Sequence, residues 1–280
     1  MTNDYYIVSS AAVAFLSCWS SYNLVMDPIA SYAGGASGAR AAAKAGSAIV
    51  VVDAFRASTT IAVLISKRAR VIPVASIEEA ASTPVDFRAG ERGSEKVTGF
   101  DFGNSPTEIL ESDILPGSTI ALSTTNGTRI MEAAAHAPYI LAGSFVNATA
   151  IADALITGFA GERVTVVGCG WEGRRASEDE AAAGAILRRL KERGARLDGR
   201  ARHVVDAYLS RPVERLRSNS AARRLRRLGY ERDLDLCLAE DIVPVVPLML
   251  DGAFVEGRNL PASMCEISGL RAASKSRNSS

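Results

Sequence analysis

Short apolar runs recur along the chain, each followed by a polar or glycine-rich turn and then a stretch of helical periodicity. Ala48 to Val52 leads through Asp53–Arg56 into a predicted helix from about Ser58 to Lys67. Thr119 to Leu122 leads through Ser123–Gly127 into a helix ending near Ala135. Val164 to Val167 leads through Gly168–Arg175 into a helix from Glu178 to about Arg193. Short apolar strands alternating with helices of roughly 10–15 residues predict an α/β fold. We expect α/β/α layers built of strand–turn–helix units, with a largely parallel or mixed sheet and room for two similar halves. Ligands of such sheets gather beyond the carboxyl ends of the strands, so the three polar turns are expected at one edge.

The regular pattern begins at residue 48, which divides the chain into an N-terminal segment 1–47, an α/β domain 48–270 and a polar tail 271–280. The domain has a candidate seam near 150–163, and the tail is expected to be disordered. Ser31 to Arg40 is rich in small residues and reads as a loop. Arg211 to Arg232 is arginine-rich around Leu216, Leu225 and Leu228 and reads as a helix with a solvated face. An anion-binding contribution and a partner surface are its other readings.

Lys plus Arg number 32 against 31 for Asp plus Glu, so the balance provides no general attraction to nucleic acid or membrane. Any preference for anions must come from local placement of arginines. The four cysteines, Cys18, Cys169, Cys237 and Cys265, lack metal-ligand spacing and read as free thiols in a reducing compartment. The apolar run Ile7–Cys18 is too short to span a bilayer and lacks a basic flank. It reads as a core strand or helix, and a cytoplasmic protein is expected. Histidine is limited to His136 and His203, both in helix-like surroundings. This scarcity disfavours a histidine nucleophile and a histidine-rich zinc or iron site. Any metal would be held by carboxylates, which points to magnesium.

Four stretches carry candidate chemistry. Asp53 closes a buried strand, where a carboxylate is costly unless it is paired or metal-bound. Arg56 follows in the turn and can clamp a phosphate, and Ser58 can cap the next helix. An Asp53–Arg56 ion pair that merely shapes the turn is the alternative. Gly90 to Pro106 sets four glycines among charged residues, which suits a backbone that approaches an anion closely. Ser105 and Glu108 form a capping box with Pro106 at the first helical position. Capping does not account for Glu91, Arg92 and Asp101, for which a plain charged loop is the alternative. Ser123 to Arg129 places Thr124, Thr125, Asn126 and Thr128 before a helix, whose free N–H groups bind anions. An Asn-Gly turn capped by Thr128 explains the same residues structurally. Finally, Gly168 to Glu180 supplies Glu172, Glu178 and Asp179, with Ser177 and Glu180 as a second capping box.

Other phosphoryl chemistries fit less well. Cys169 and Arg175 have the C-x5-R spacing of a cysteine-nucleophile loop, but Glu172 would stand inside the phosphate cradle. Phe55 and Ala57 break an aspartyl-nucleophile D-x-D-x-T pattern starting at Asp53. No Walker sequence occurs.

Taken in order, the segments VVDAFRASTTIA, GERGSEKVTGFDFGNSP, STTNGTR, GSFVNATA and GWEGRRASEDEAAAGAI resemble the 2-phosphosulfolactate phosphatases. A weaker match continues through LRRLGYERDLDLC to the VVP of residues 245–247. The resemblance covers roughly residues 48–252, and residues 1–47 match poorly. It implies magnesium-dependent hydrolysis of a small three-carbon acid bearing phosphate and sulfonate, a step toward coenzyme M. It also implies Asp53, Arg56 and Glu172 as catalytic, and Asp53, Glu172 and Asp179 as metal ligands, with Glu91, Asp101 and Glu178 as alternates. The implied substrate contacts are Arg92, Asn104, Ser105, Thr124, Thr125, Asn126 and Asn147, and Thr128 is expected to join them as part of the turn from Thr124. No nucleic-acid or membrane partner is implied, and a homo-oligomer stays open. The chain departs from the family's usual residues at Phe55, Gly168, Cys169, Trp171 and Ala222. These departures leave two alternatives open: a phosphatase for another phosphorylated hydroxy acid, and a non-catalytic anion-binding protein on the same fold.

Overall fold

The computed structural model describes residues 27–125, 127–158 and 163–258. Strands β1 (Ile29–Gly34), β2 (Ala48–Val52), β3 (Arg70–Pro73), β4 (Phe87–Arg92), β5 (Glu95–Lys96) and β6 (Thr119–Ser123) alternate with helices α1 (Gly35–Lys44), α2 (Ala57–Ser66), α3 (Ile77–Ser82), α4 (Pro106–Glu111) and α5 (Gly127–Ala134). The order continues with β7 (Ile140–Ala142), α6 (Ala148–Thr157), β8 (Arg163–Gly168), α7 (Ser177–Glu192), β9 (Arg196–Leu197) and α8 (Gly199–Ser210). A 3-10 turn, Val213–Ser218, precedes α9 (Ser220–Arg227) and α10 (Glu231–Leu238), and the hairpin β10 (Pro247–Leu250) and β11 (Ala253–Glu256) follows.

β2 is apolar at every position because both its faces are covered. Ala48, Val50 and Val52 pack with Ile151 and Leu155 of α6, Ile186 and Leu190 of α7, and Val204 of α8. Ile49 and Val51 face the opposite way, into a cluster with Ile61 and Ile65 of α2 and Ile130 of α5. β8 divides its valines likewise, Val164 and Val166 to one face and Val167 to the other. Truncating one of the large, fully buried side chains, such as Leu155 or Ile186, to alanine costs about 2–5 kcal/mol.

The eleven strands of the described residues form one mixed sheet, in the order β5-β4-β6-β3-β11-β10-β7-β2-β8-β1-β9. Two parallel groups, β4-β6-β3 and β7-β2-β8-β1-β9, flank the antiparallel hairpin β11-β10. The hairpin pairs antiparallel with a strand of each group, so the two groups run in opposite directions. On a flat sheet their carboxyl ends would lie at opposite edges. Contacts nonetheless bring the turns after β2, β4, β6 and β8 together: Arg56 donates to the Ser94 carbonyl, Glu91 accepts from the Thr125 N–H and Asp179 accepts from the Ala54 N–H.

Several local expectations change. Ser31–Arg40 is not a loop: it forms the end of β1 and the start of α1. Its small residues allow close packing, since a Cβ on Gly38 would lie 2.8 Å from the Ala33 Cβ. β1 pairs with β8 and β9, so Ile29–Gly34, which precedes residue 48, is part of the sheet. Ser58 does not cap α2, and Ser177 is the first residue of α7 rather than its cap. Ser105 does cap α4, accepting from the Glu108 N–H. His136 and His203 are exposed. The segment Ile7–Cys18, Asn126, the side chain of Thr128 and the tail 271–280 lie outside what the structure describes. Among the described residues, no helix is long and apolar enough to cross a membrane.

Candidate active site

The turn after β2 is tied down by the hydroxyls that follow it. Ser58 Oγ accepts from the Asp53 N–H at 2.9 Å and donates to the Val51 carbonyl at 3.1 Å. Thr59 Oγ1 donates to the Ala54 carbonyl and lies 2.9 Å from Ser144 Oγ. Thr60 Oγ1 reaches the Asn104 carbonyl at 3.4 Å. These buried hydroxyls fix Asp53 and Arg56 relative to the neighbouring turns.

Asp53 lies at the centre of a group of acids. One oxygen accepts weakly from the Ala57 N–H at 3.3 Å, and the other has no partner among the described residues. Burial, then the charges of Glu91 and Glu178, push its pKa up to about 7 against the opposing effects of Ala57 N–H and Arg56. Asp179 is 3% exposed and bridges two turns, accepting from the N–H of Ala54 at 2.9 Å and of Gly170 at 2.8 Å. Burial, with Asp53 and Glu178, holds its pKa well above the ordinary carboxylate range. Glu91 closes the tight reversal after β4, accepting from the N–H of Ser94 and of Thr125, each at 2.7 Å. Glu178 accepts from Asn219 Nδ2 at 2.7 Å, and burial raises its pKa.

Arg56 does not pair with Asp53. Its Nη1 donates to Asp233 at 2.7 Å, its Nη2 donates to the Ser94 carbonyl at 2.7 Å, and the Tyr230 ring covers its face at 4.3 Å. Asp233 is fully buried and also accepts from Ser105 Oγ at 2.7 Å, from the Thr107 N–H at 3.2 Å and from the Thr107 hydroxyl. One carboxylate thus ties α10 to the turns after β2 and before α4. Arg92 turns toward the sheet edge and donates to the Glu91 carbonyl at 2.7 Å and to Ser123 Oγ at 3.0 Å. Two buried polar atoms, Asn104 Oδ1 and Thr125 Oγ1, have no hydrogen-bond partner among the described residues. A cavity of about 480 Å³ between the turns after β1 and β8 is lined in part by Asp179.

The profile of the 2-phosphosulpholactate phosphatase family matches residues 37–252. The chain belongs to this family. A protein of Thermotoga maritima named "Probable 2-phosphosulfolactate phosphatase" is 38% identical over 214 residues, covering 74% of this chain and 90% of that protein. Its namesake from Thermotoga petrophila is 37% identical over 210 residues, with the same coverage of 74% and 90%. A Gloeobacter violaceus protein of that name is 37% identical over 218 residues, covering 74% and 91%.

Within this phosphatase family framework, the structure gathers Asp53, Arg56, Glu91, Asn104, Ser105, Thr125, Glu178 and Asp179 around one place. It keeps others apart. Glu172 is exposed at the tip of the Trp171–Arg174 turn, with a positive φ of 49°, and takes no part in the acid cluster. Asp101 is exposed and accepts from the Arg88 N–H at 2.7 Å, stabilising its own loop. The Asn147 amide is spent inside the fold, accepting from the Ser144 N–H and donating to the carbonyls of Ala142 and Val245. The Ser105 hydroxyl is likewise engaged by Asp233 and Glu108. Thr124 is buried beside the cluster. Cys169 is a buried free thiol whose pKa is raised by burial, Asp53 and Asp179. Arg175 is exposed and pairs with Glu180, so the C-x5-R pair does not form a nucleophile loop. Sequence reasoning missed Ser94, Asn219, Arg224, Tyr230 and Asp233. Among the described residues, no three acid, imidazole or thiol side chains form a ready-made metal cage.

Proposed function

We propose that this chain is a magnesium-dependent phosphatase that hydrolyses 2-phosphosulfolactate to sulfolactate and inorganic phosphate. The observation that carries the proposal is Asp53, a carboxylate at a strand end with one oxygen unpartnered among the described residues, crowded by Glu91, Glu178 and Asp179. Such acid density would repel a phosphate dianion unless a cation stood between them. Magnesium takes oxygen ligands, keeps several waters, and is often bound through one or two carboxylates plus substrate phosphate. Asp53 with Asp179 or Glu178 suits that mode without a three-acid cage. When bound, the ion neutralises charge on the phosphate oxygens and orients or activates a water.

The chain's own residues supply the rest. Arg56, immobilised by Asp233, Ser94 and Tyr230, holds a fixed positive charge three positions beyond Asp53. Its preorganisation avoids reordering a flexible side chain when charge develops on the phosphate. Asn104 Oδ1 and Thr125 Oγ1 are buried and without a hydrogen-bond partner among the described residues, a costly condition that the waters or hydroxyl groups of a bound ligand would relieve. The reduced Cys169 and Cys237 agree with action in the cytoplasm.

The test is phosphate release from 2-phosphosulfolactate with magnesium and then with excess chelator, beside phosphoglycolate and phospholactate. Selective, chelator-sensitive release is expected. Release from the controls alone would move the substrate to another phosphorylated hydroxy acid. Silence on all three would favour a binding protein.

A further inference from the structure

We infer that Arg224, held on the ring of Trp171, forms a subsite for the sulfonate of the substrate. This rests on the phosphatase reading above and adds the group that sets its substrate apart from simpler phosphate esters.

Arg224 lies in an arginine run on α9 whose other members face elsewhere. Arg223 donates to the Ser218 carbonyl, Arg226 pairs with Glu231, and Arg227 is exposed. The Arg224 guanidinium instead lies 3.9 Å above the centroid of the Trp171 ring, and its Nε donates to Ser94 Oγ at 3.0 Å. Among the described residues, no carboxylate stands within ion-pairing distance of it. Its Nη groups have no hydrogen-bond partner among the described residues, and Glu178 is near enough to feel its charge.

Both supports of this cation are fixed. Trp171 and Arg174 exchange backbone hydrogen bonds of 2.9 and 2.8 Å. Gly170 permits that tight turn, since a Cβ there would meet the Arg174 carbonyl oxygen at 2.3 Å. Asn219 caps α9 by accepting from the Ala222 N–H at 2.8 Å, while its amide donates to Glu178. The helix that carries Arg224 is thereby registered against the acid cluster.

Ser94 sets the spacing between the two regions. Its N–H donates to Glu91, its carbonyl accepts from Arg56, and its hydroxyl accepts from Arg224. The cation thus stands one serine away from the residues assigned to phosphate. Phosphate and sulfonate occupy adjacent carbons of the substrate, and Ser94 touches Arg224 on one side and Glu91 and Arg56 on the other, so the two anions fit neighbouring positions. A planar guanidinium offers paired donors to an oxyanion and tolerates partial desolvation on an aromatic face. A weakly basic sulfonate with three equivalent oxygens suits those donors. Trp171 provides the platform.

The experiment compares 2-phosphosulfolactate with 2-phospholactate, which keeps carboxylate and phosphate but lacks the sulfonate. R224Q is expected to lower kcat/KM for 2-phosphosulfolactate roughly 10- to 150-fold, mainly through KM. The change for 2-phospholactate should stay within about 3-fold, the scale of a weak exposed contact. R224K should fall between wild type and R224Q, and W171L should lower only the sulfonated substrate, by roughly 2- to 30-fold. Equal losses on both substrates, or no loss on either, would overturn the subsite. A second readout needs no turnover. In a W19F background Trp171 is the remaining tryptophan, and sulfolactate should shift its fluorescence saturably, an effect absent in R224Q. No saturable shift also rejects the subsite. If wild type hydrolyses neither ester, the phosphatase reading falls while the titration still reports on Arg224.

Discussion

Asp233 and Asp235 stand two residues apart on α10 and each pairs with an arginine. The Arg56–Asp233 pair is 2% and 0% exposed, whereas Arg217–Asp235 is 39% and 65% exposed. The first joins three turns beneath the candidate site, and the second is a solvated contact at the surface. The same contrast runs through the whole site. Its floor consists of buried charges held by backbone groups, while its rim consists of half-exposed side chains held by stacking and helix caps. The floor is suited to fixing a charge distribution, and the rim to choosing among ligands that carry the same phosphate.

The strongest way to break this division is D53N. The substitution keeps the shape and removes the charge at the centre of the floor. If Asp53 holds the cation, the loss is several kcal/mol of transition-state stabilisation, roughly 10³-fold in kcat. Stability should rise, because one of several mutually repelling acids becomes neutral. Near-normal turnover by a folded D53N enzyme would remove Asp53 from the chemistry and dissolve the floor as defined here.

The next largest effect separates the two aspartates. D233A leaves the Arg56 guanidinium buried without its counter-charge, which costs about 3–5 kcal/mol. D235A removes an exposed pair and should cost less than about 1 kcal/mol. Urea midpoints of the two variants provide the comparison. Similar midpoints would mean that burial does not distinguish these pairs.

The floor was legible where its residues fall in contiguous motifs at strand ends, because strand length, turn and helix start constrain one another locally. Asp53, Glu91 and Asp179 could be proposed for that reason. What could not be read was exposure. Glu172 and Glu178 occupy one motif, yet only the second is buried, because α7 begins between them. Asn147 came in only through the family resemblance, and its amide is taken up by three backbone partners. The rim was largely illegible, since nothing local singles Arg224 out of its run. Asp233 did leave a signal: at i+3 and i+4 from it lie the buried Leu236 and Cys237, so it occupies the apolar stripe of its helix. The small residues of Ser31–Arg40 misled because glycine serves close packing as readily as loops.

The last expected effect is a pH dependence of stability, and its sign tests the electrostatics of the floor. Asp53 binds its proton near pH 7 in the folded chain, against an ordinary value of 3.8, and Asp179 is shifted in the same direction. Between about pH 4 and 7 the folded state therefore holds protons that the unfolded state has released. Stability falls as pH rises wherever the folded state binds more protons. Carboxylates shifted downward, such as Asp86 and Asp241, act in the opposite sense but below their ordinary value of 3.8, outside this window. In chelator, the urea midpoint of wild type should decline from pH 5 to pH 8, and D53N should flatten that decline. Magnesium at pH 8 should restore the midpoint in wild type and do so less in D53N, because a cation replaces the protons that the acids lose. A wild-type profile that is flat or rising in chelator would mean that the floor acids are not crowded, and with that the case for a cation at Asp53 would lose its physical basis.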